Sequence, residues 1–148
     1  MSAAAHIEAT DASAEMIFEA KRDNQSAKLH FSVQDMFRLP YADKSFDVVI
    51  VSNALHIVPQ PEKALAEIRR VLKDDGVLIA PTFTHAGNSF SGNAKAFFMK
   101  LAGFPLHSRW TSEEYLSFLR QNGWTVQKSV VLKASFSLTY TECVKSEV

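Results

Sequence analysis

Three polar side chains follow predicted strands of this 148-residue chain, where they could contact a bound molecule. Asp11 ends the first predicted strand, Asp35 follows the second, and Asn53 follows the third, FDVVIVS. Carboxylate and amide oxygens accept hydrogen bonds, which suits them to holding a ligand. Open α/β sheets bind ligands at the carboxyl ends of their strands. The three residues are therefore candidates for a binding site.

Other kinds of site find little support in the sequence. Cys143 is the only cysteine, so no intramolecular disulfide is possible, and a reducing cytosolic setting is the simplest expectation. The histidines lie far apart along the chain and propose no metal: His6, His30, His56, His85 and His107. Residues 87–92 have the outer glycine spacing of a phosphate loop, but Asn93 stands where the lysine should be.

Composition narrows the class of protein further. Lys plus Arg and Asp plus Glu both number 16, which argues against a general nucleic-acid binder. No apolar run reaches the ~20 residues that a membrane helix requires. The start, MSAAAHIEATDAS, lacks the basic and apolar regions of a signal peptide. We therefore expect a cytoplasmic protein without stable membrane association.

The elements that must position these side chains alternate between strand and helix patterns, which is typical of βαβ units and a mostly parallel sheet. We expect strands near residues 5–10, 29–33, 46–52 and 77–80, and an antiparallel hairpin from residues 125–132 and 136–143. The unbroken apolar run from Val48 to Val51 predicts a strand covered on both faces. Asp74, Asp75 and Gly76 predict a chain reversal before the fourth strand.

Three helix starts are marked by capping residues. Ser13 can cap a helix whose Met16, Ile17 and Ala20 share one face. Pro61 suits the first turn of a second helix, and Thr111 with Glu114 spells a capping box. Residues 83–109 differ in character, and we interpret them as an inserted loop plus helix.

Three segments, taken in order, resemble the class I S-adenosylmethionine-dependent methyltransferases of the ubiquinone/menaquinone-biosynthesis type, methyltransferase type 11. They are ATDAS, SVQDMFRLPYADKSFDVVIVSNALHIV and EIRRVLKDDGVLI. The middle segment is quite specific, with an acidic residue, a Leu-Pro pair, and Phe-Asp opening an apolar strand. The resemblance implies a Rossmann-like fold with S-adenosylmethionine as cofactor and a small-molecule acceptor. It also implies that the insert at residues 83–109 lies over the acceptor side.

The resemblance also implies roles for particular residues. Asp11 would accept hydrogen bonds from the ribose hydroxyls, since a carboxylate can accept from both. Ala12 would line the adenine pocket. Asp35 would take the exocyclic amine of adenine, with the Met36 amide facing a ring nitrogen. Two further residues, Asn53 and Ala54, would line the path near the transferred methyl.

His56 lies close enough in sequence to be an acceptor-side contact, and catalytic residues are left unassigned. Methyl transfer asks little acid–base chemistry, because the sulfonium is already activated and the protein mainly orients donor and acceptor.

The sequence departs from the family at its start. The family begins with a strand and a glycine-rich loop, whereas no two of the five glycines here are spaced as G-x-G. We therefore expect residues 1–148 to form a partial, truncated domain lacking the first strand and that loop. Either the Asp11 strand pairs with the strand at residues 46–52, or both edges stay exposed and invite self-association into homo-oligomers.

Two functions from different classes remain open. The first is methyl transfer to a small molecule, impaired by loss of the glycine-rich loop. The second is a non-catalytic, methyltransferase-like binding or self-association module. A dinucleotide-dependent oxidoreductase is a weaker third, because it needs the same absent loop.

Overall fold

The computed structural model describes residues 4–85, 108–133 and 137–147. The chain divides into two compact units, a first unit (Met1–Tyr41) and a second unit (Ala42–Val148). Of the predicted insert at residues 83–109, the helical part around Phe97 and Phe98 lies outside the described residues. That residues 1–148 form one partial domain stays a prediction.

The first unit is a β–α–β unit of β1 (Ile7–Asp11), α1 (Ala14–Arg22) and β2 (Leu29–Val33). The strands are parallel, with Asp11 opposite Val33. Ser13 caps α1 as predicted, because its hydroxyl accepts the Met16 amide at 3.3 Å. Of the residues predicted to share one face, Ile17 is buried, whereas Met16 is 59% exposed.

The described part of the second unit contains a five-stranded sheet and two helices, which confirms the α/β class. Its elements are β3 (Phe46–Ile50), α2 (Pro61–Val71), β4 (Leu72–Ile79), β5 (Thr82–Thr84), α3 (Ser112–Gln121), β6 (Trp124–Lys133) and β7 (Ser137–Lys145). The strand order is β3–β4–β7–β5, with β6 also paired to β7. The β3–β4 pair is parallel, and β7 runs antiparallel to its three neighbours, which include β6 of the predicted hairpin.

The predicted reversal at Asp74, Asp75 and Gly76 is wrong, because β4 follows α2 directly at Leu72. Phe46 pairs with Leu72 and Val48 with Val77, so the acidic segment forms an irregularity within the strand pairing. A bulge of this kind absorbs extra residues without ending the strand. Turn-forming residue types alone could not distinguish the two outcomes.

Strand β3 is not covered on both faces as its composition predicts. Val48 is 49% exposed and Ile50 is 65% exposed, whereas Val51, just beyond the strand, is buried. Among the described residues β3 pairs only with β4, and β1 belongs to the separate β1–β2 sheet. Of the two expected outcomes, the described strands therefore show the one that leaves edges unpaired.

The core of the second unit joins α2 and α3 to the middle of the sheet. Leu65, Ile68, Leu78, Leu119 and Trp124 are all at most 3% exposed. Half-buried Arg69 connects α2 to two other parts of the unit. Its guanidinium donates to the carbonyl of Gly123 after α3 and to the carbonyl of Ser146 after β7. Gly123 follows α3 with a φ of 83°, a left-handed conformation that favours glycine.

The capping box of α3 supplies a direct stability test. The Thr111 hydroxyl accepts the Glu114 amide at 3.2 Å, and the Glu114 carboxylate accepts the Thr111 amide at 2.7 Å. Thr111→Ala removes the cap acceptor, so we expect the free energy of unfolding to fall by about 1 kcal/mol. Denaturant titration followed by circular dichroism measures the change. Thr111→Ser keeps the hydroxyl and should stay near wild type, and equal losses in both variants would contradict the capping role.

Candidate functional site

The carboxyl ends of β1 and β2 border a cavity in the first unit. Its volume is about 350 Å³, and it is lined by Ala12, Val33, Gln34, Asp35 and Arg38. The parallel pairing brings Asp11 opposite Val33, two residues before Asp35, and the Gln34 amide donates to the Asp11 carbonyl at 3.0 Å. The fold thus places both predicted acidic residues at one end of one small sheet.

Asp11 uses one carboxylate oxygen to shape the chain after β1. Its Oδ1 accepts the Ser13 amide at 2.8 Å, a local bond that short acidic side chains favour at helix starts. Within the described residues, Oδ2 makes no hydrogen bond. Asp11 itself does not line the cavity, whereas its neighbour Ala12 does.

Asp35 and Met36 form a similar turn after β2. Asp35 Oδ1 accepts the Phe37 amide at 2.8 Å, and the Asp35 carbonyl accepts the Arg38 amide at 3.0 Å. In the part of the chain that the structure describes, Asp35 Oδ2 and the Met36 amide have no partners. The turn therefore offers one acceptor and one donor on adjacent residues, the pair predicted for recognition of an adenine edge.

Asn53 and Ala54 lie in the second unit, just beyond β3. The Asn53 amide donates to the Pro81 carbonyl at 2.9 Å, and its φ of 51° is left-handed, a conformation asparagine tolerates better than most residues. Its side-chain oxygen is buried and has no hydrogen-bond partner among the described residues. The Ala54 carbonyl accepts the Ile57 amide at 3.0 Å. Strained backbone and an unsatisfied buried acceptor both cost free energy, and both are typical of functional positions.

His56 is buried in the second unit and bonded to the sheet. Its side chain is one of the few buried polar groups, at 5% exposure, and its Nδ1 lies 2.8 Å from the Thr82 hydroxyl. The Phe83 ring meets the imidazole edge-on at a centroid distance of 5.9 Å. Burial lowers the pKa of His56 below its usual value, so the ring is neutral at pH 7. These contacts describe an anchored histidine.

Sequence reasoning missed three residues that line the cavity, namely Val33, Gln34 and Arg38. Arg38 had a usable signal, because it stands three residues after Asp35 and a turn of that length returns to the same place. Val33 belongs to the alternating pattern of β2, and alternation says nothing about which face meets a ligand. Gln34 directly follows β2, and its residue type alone does not indicate a ligand contact.

Comparison with known proteins decides the family. The family described as methyltransferase domain matches residues 1–80, more than half of the chain. The chain belongs to this methyltransferase family. The matched range contains both units' predicted site residues, from Asp11 to Ala54.

Individual relatives agree with that assignment. The chain is 46% identical over 57 residues to a demethylmenaquinone methyltransferase of Renibacterium salmoninarum, a match covering 38% of this chain and 24% of the relative. It is 26% identical over 114 residues to a 2-phytyl-1,4-naphtoquinone methyltransferase of Synechocystis sp., covering 74% of this chain and 48% of the relative. These matches span less than half the length of either relative.

Solved structures share the fold. A chain from the complex of the Haloferax volcanii Trm112 methyltransferase activator with a methyltransferase superposes with a TM-score of 0.80 and 21% identity. The superposition covers 97% of this chain and 73% of that chain. The Rossmann-like class is thereby confirmed.

The described ranges 4–85, 108–133 and 137–147 contain neither a metal-ligand cluster nor a membrane-spanning helix. No group of three or more His, Cys, Asp or Glu side chains there could hold a metal ion. No helix in that part of the chain is long and apolar enough to cross a membrane.

The buried imidazole predicts a pH-dependent stability. Because the folded state lowers the pKa of His56, the unfolded state binds more protons between the folded value and the ordinary value near 6.5. The stability contribution is therefore complete above about pH 6.5 and is lost as the pH falls through the folded pKa. We expect the free energy of unfolding, measured by urea titration between about pH 5 and 8, to fall on acidification.

His56→Gln should flatten this dependence while keeping a hydrogen bond to Thr82. The exposed His30 is the control, and His30→Gln should retain the wild-type profile. A profile unchanged by His56→Gln would show that His56 is not the titrating group.

Proposed function

We propose that the chain binds S-adenosylmethionine and transfers its methyl group to a small-molecule acceptor. The observation that carries this proposal is the end of the β1–β2 sheet. There Asp11 and Asp35 each keep one carboxylate oxygen without a partner in the described residues, close to the cavity that Ala12 lines. Membership of the methyltransferase family supports the same reaction.

The first unit fits the nucleoside part of the cofactor. Asp11 Oδ2 would accept from the ribose hydroxyls, while Oδ1 stays bonded to Ser13 and keeps the carboxylate oriented. Asp35 Oδ2 would accept from the adenine amine, and the Met36 amide would donate to a ring nitrogen. Ala12 and Val33 give the cavity an apolar wall suited to a planar ring.

Asn53 and Ala54 are proposed to line the path near the transferred methyl, as the family resemblance implies. The buried Asn53 oxygen needs a donor, and a bound cofactor or acceptor would provide one. Bound S-adenosylmethionine supplies an activated methyl group. The residues of this chain therefore have only to orient the two reactants and keep them apart from water.

His56 has no role as a general base in this proposal. Its pKa is lowered, its Nδ1 is engaged by Thr82, and the burial that lowers the pKa also limits its access. We assign it the positioning of the segment after Asn53, because its carbonyl also accepts the Ser108 amide at 3.0 Å. The identity of a catalytic residue is left open.

The acceptor is proposed to be quinone-like. Two relatives are named as methyltransferases of demethylmenaquinone and of 2-phytyl-1,4-naphtoquinone. The balanced charge of the chain gives no reason to propose a nucleic acid. The single cysteine keeps the cytoplasm as the proposed compartment. We expect weak cofactor binding, because no G-x-G spacing occurs in the sequence.

Calorimetric titration with S-adenosylhomocysteine tests the cofactor site. Asp11→Asn and Asp35→Asn each keep the oxygen that bonds their own backbone but replace the free acceptor by a donor. We expect either change to weaken binding roughly 10- to 100-fold, the effect of losing a charge-assisted hydrogen bond. Asp23→Asn, at the exposed end of α1, is the matched control and should bind as wild type. Absence of heat from wild type at high micromolar ligand would refute unaided cofactor binding.

A second candidate function is self-association, and the exposed edge of β3 favours it. In an antiparallel pairing of two copies centred on Val48, that residue would face its own copy and Phe46 would face Ile50. The pairing would cover Val48 and Ile50, now 49% and 65% exposed, and satisfy unpaired backbone groups. We propose a homodimer through this edge.

Light scattering across a concentration series tests the dimer. Ile50→Lys should shift the protein toward monomer, because it places two like charges in the pairing. Met16→Lys is the control, since Met16 is similarly exposed but lies on α1. A wild type that stays monomeric at high concentration would exclude the β3 dimer.

A further inference from the structure

The lining of the cavity in the first unit includes an arginine side chain to which the family resemblance assigns no role. Arg38 lines it beside Asp35, and no residue in the described ranges pairs with the Arg38 guanidinium. Two arginines elsewhere form ion pairs: Arg22 with Glu19 at 2.7 Å, and Arg70 with Asp43 at 2.8 Å. Arg38 is exposed at the wall of this cavity, so its guanidinium is accessible to a ligand.

The position of Arg38 is coupled to that of Asp35 by a single turn. The Arg38 amide donates to the Asp35 carbonyl at 3.0 Å, and the Asp35 side chain closes the same turn through the Phe37 amide. Whatever the Asp35 carboxylate holds is therefore brought next to Arg38. The side chain of Gln34, the third polar group of the lining, already makes one hydrogen bond. Its Nε2 donates to the Ser32 hydroxyl at 3.2 Å.

The lining residues of the cavity favour one class of ligand. Ala12 and Val33 supply an apolar wall, Asp35 supplies an acceptor at one edge, and Arg38 supplies a planar cation. A planar heteroaromatic ring with an exocyclic amine satisfies all three, with its edge on Asp35 and one face on the wall. Guanidinium groups stack on the faces of aromatic rings.

We propose that Arg38 covers the second face of the adenine ring and is a specificity-determining residue of the cofactor site. This inference rests on the proposed function, since it takes the adenine end of S-adenosylmethionine as the ligand of the cavity. The inference assigns Arg38 to the adenine ring and not to a phosphate group. The contact needs only the nucleoside, so adenosine is a sufficient probe.

The experiment is a calorimetric or saturation-transfer titration of the full chain with adenosine, adenosine monophosphate and S-adenosylhomocysteine. Arg38→Ala should weaken adenosine and S-adenosylhomocysteine to a similar extent, about 5- to 30-fold. Arg38→Trp restores a flat surface without the charge and should bind within about 3-fold of wild type. Arg22→Ala, an exposed arginine on α1, is the matched control and should leave all three ligands unchanged.

Three results would overturn the inference. In the first, Arg38→Ala binds adenosine as tightly as the Arg22→Ala control. In the second, Arg38→Lys restores binding where Arg38→Trp does not. A much larger loss for adenosine monophosphate than for adenosine would assign Arg38 to a phosphate. If Asp11→Asn and Asp35→Asn weaken S-adenosylhomocysteine while Arg38→Ala does not, only this inference fails. If wild type binds neither adenosine nor S-adenosylhomocysteine, the proposed function fails with it.

Discussion

The carbonyl oxygen of Ala80 accepts two buried side-chain hydrogen bonds, and the second unit is organised around it. The Tyr115 hydroxyl donates at 2.8 Å and the Thr141 hydroxyl at 3.0 Å, while the Ala80 amide donates back to the Thr141 carbonyl at 3.1 Å. Both hydroxyls would be costly to bury without partners. One peptide group thus fastens α3 and β7 to the end of β4. The carbonyl of the next residue, Pro81, accepts the Asn53 amide. The strained backbone of Asn53 is therefore bonded directly beside the hydrogen bonds of Ala80.

The second unit also shows how a sheet can bury threonine side chains by giving each hydroxyl a hydrogen-bond partner. Four threonines, Thr82, Thr84, Thr139 and Thr141, are buried. Thr84 and Thr139 pair with each other at 2.8 Å, Thr82 pairs with His56, and Thr141 reaches Ala80. Cys143 beside them is a poor nucleophile, since burial raises its pKa to about 11. The buried threonines and Cys143 therefore have a structural role in the sheet.

Much of this architecture could be predicted from local chemistry. Ser13, Pro61 and Thr111 each signal a helix start through a backbone requirement that few residue types meet, and a described helix begins at each of them. The alternation of Leu29, Phe31 and Val33 with polar residues indicates β2. The exposure of Val48 and the direct passage from α2 into β4 could not be predicted, because they depend on which strands are neighbours. Likewise, Asp35 could be proposed from a motif, whereas Arg38 required the turn that returns it to the cavity.

The double use of the two acidic side chains has a thermodynamic consequence. Asp11 and Asp35 each spend one oxygen on a backbone amide two residues on, which fixes the torsion angles of both carboxylates in the absence of any ligand. A ligand therefore meets acceptors that are already aimed, and little side-chain entropy remains to be lost on association. The end of the β1–β2 sheet is in this sense a preorganised receptor, because its orientation is set by the same local bonds that begin α1 and turn the chain after β2.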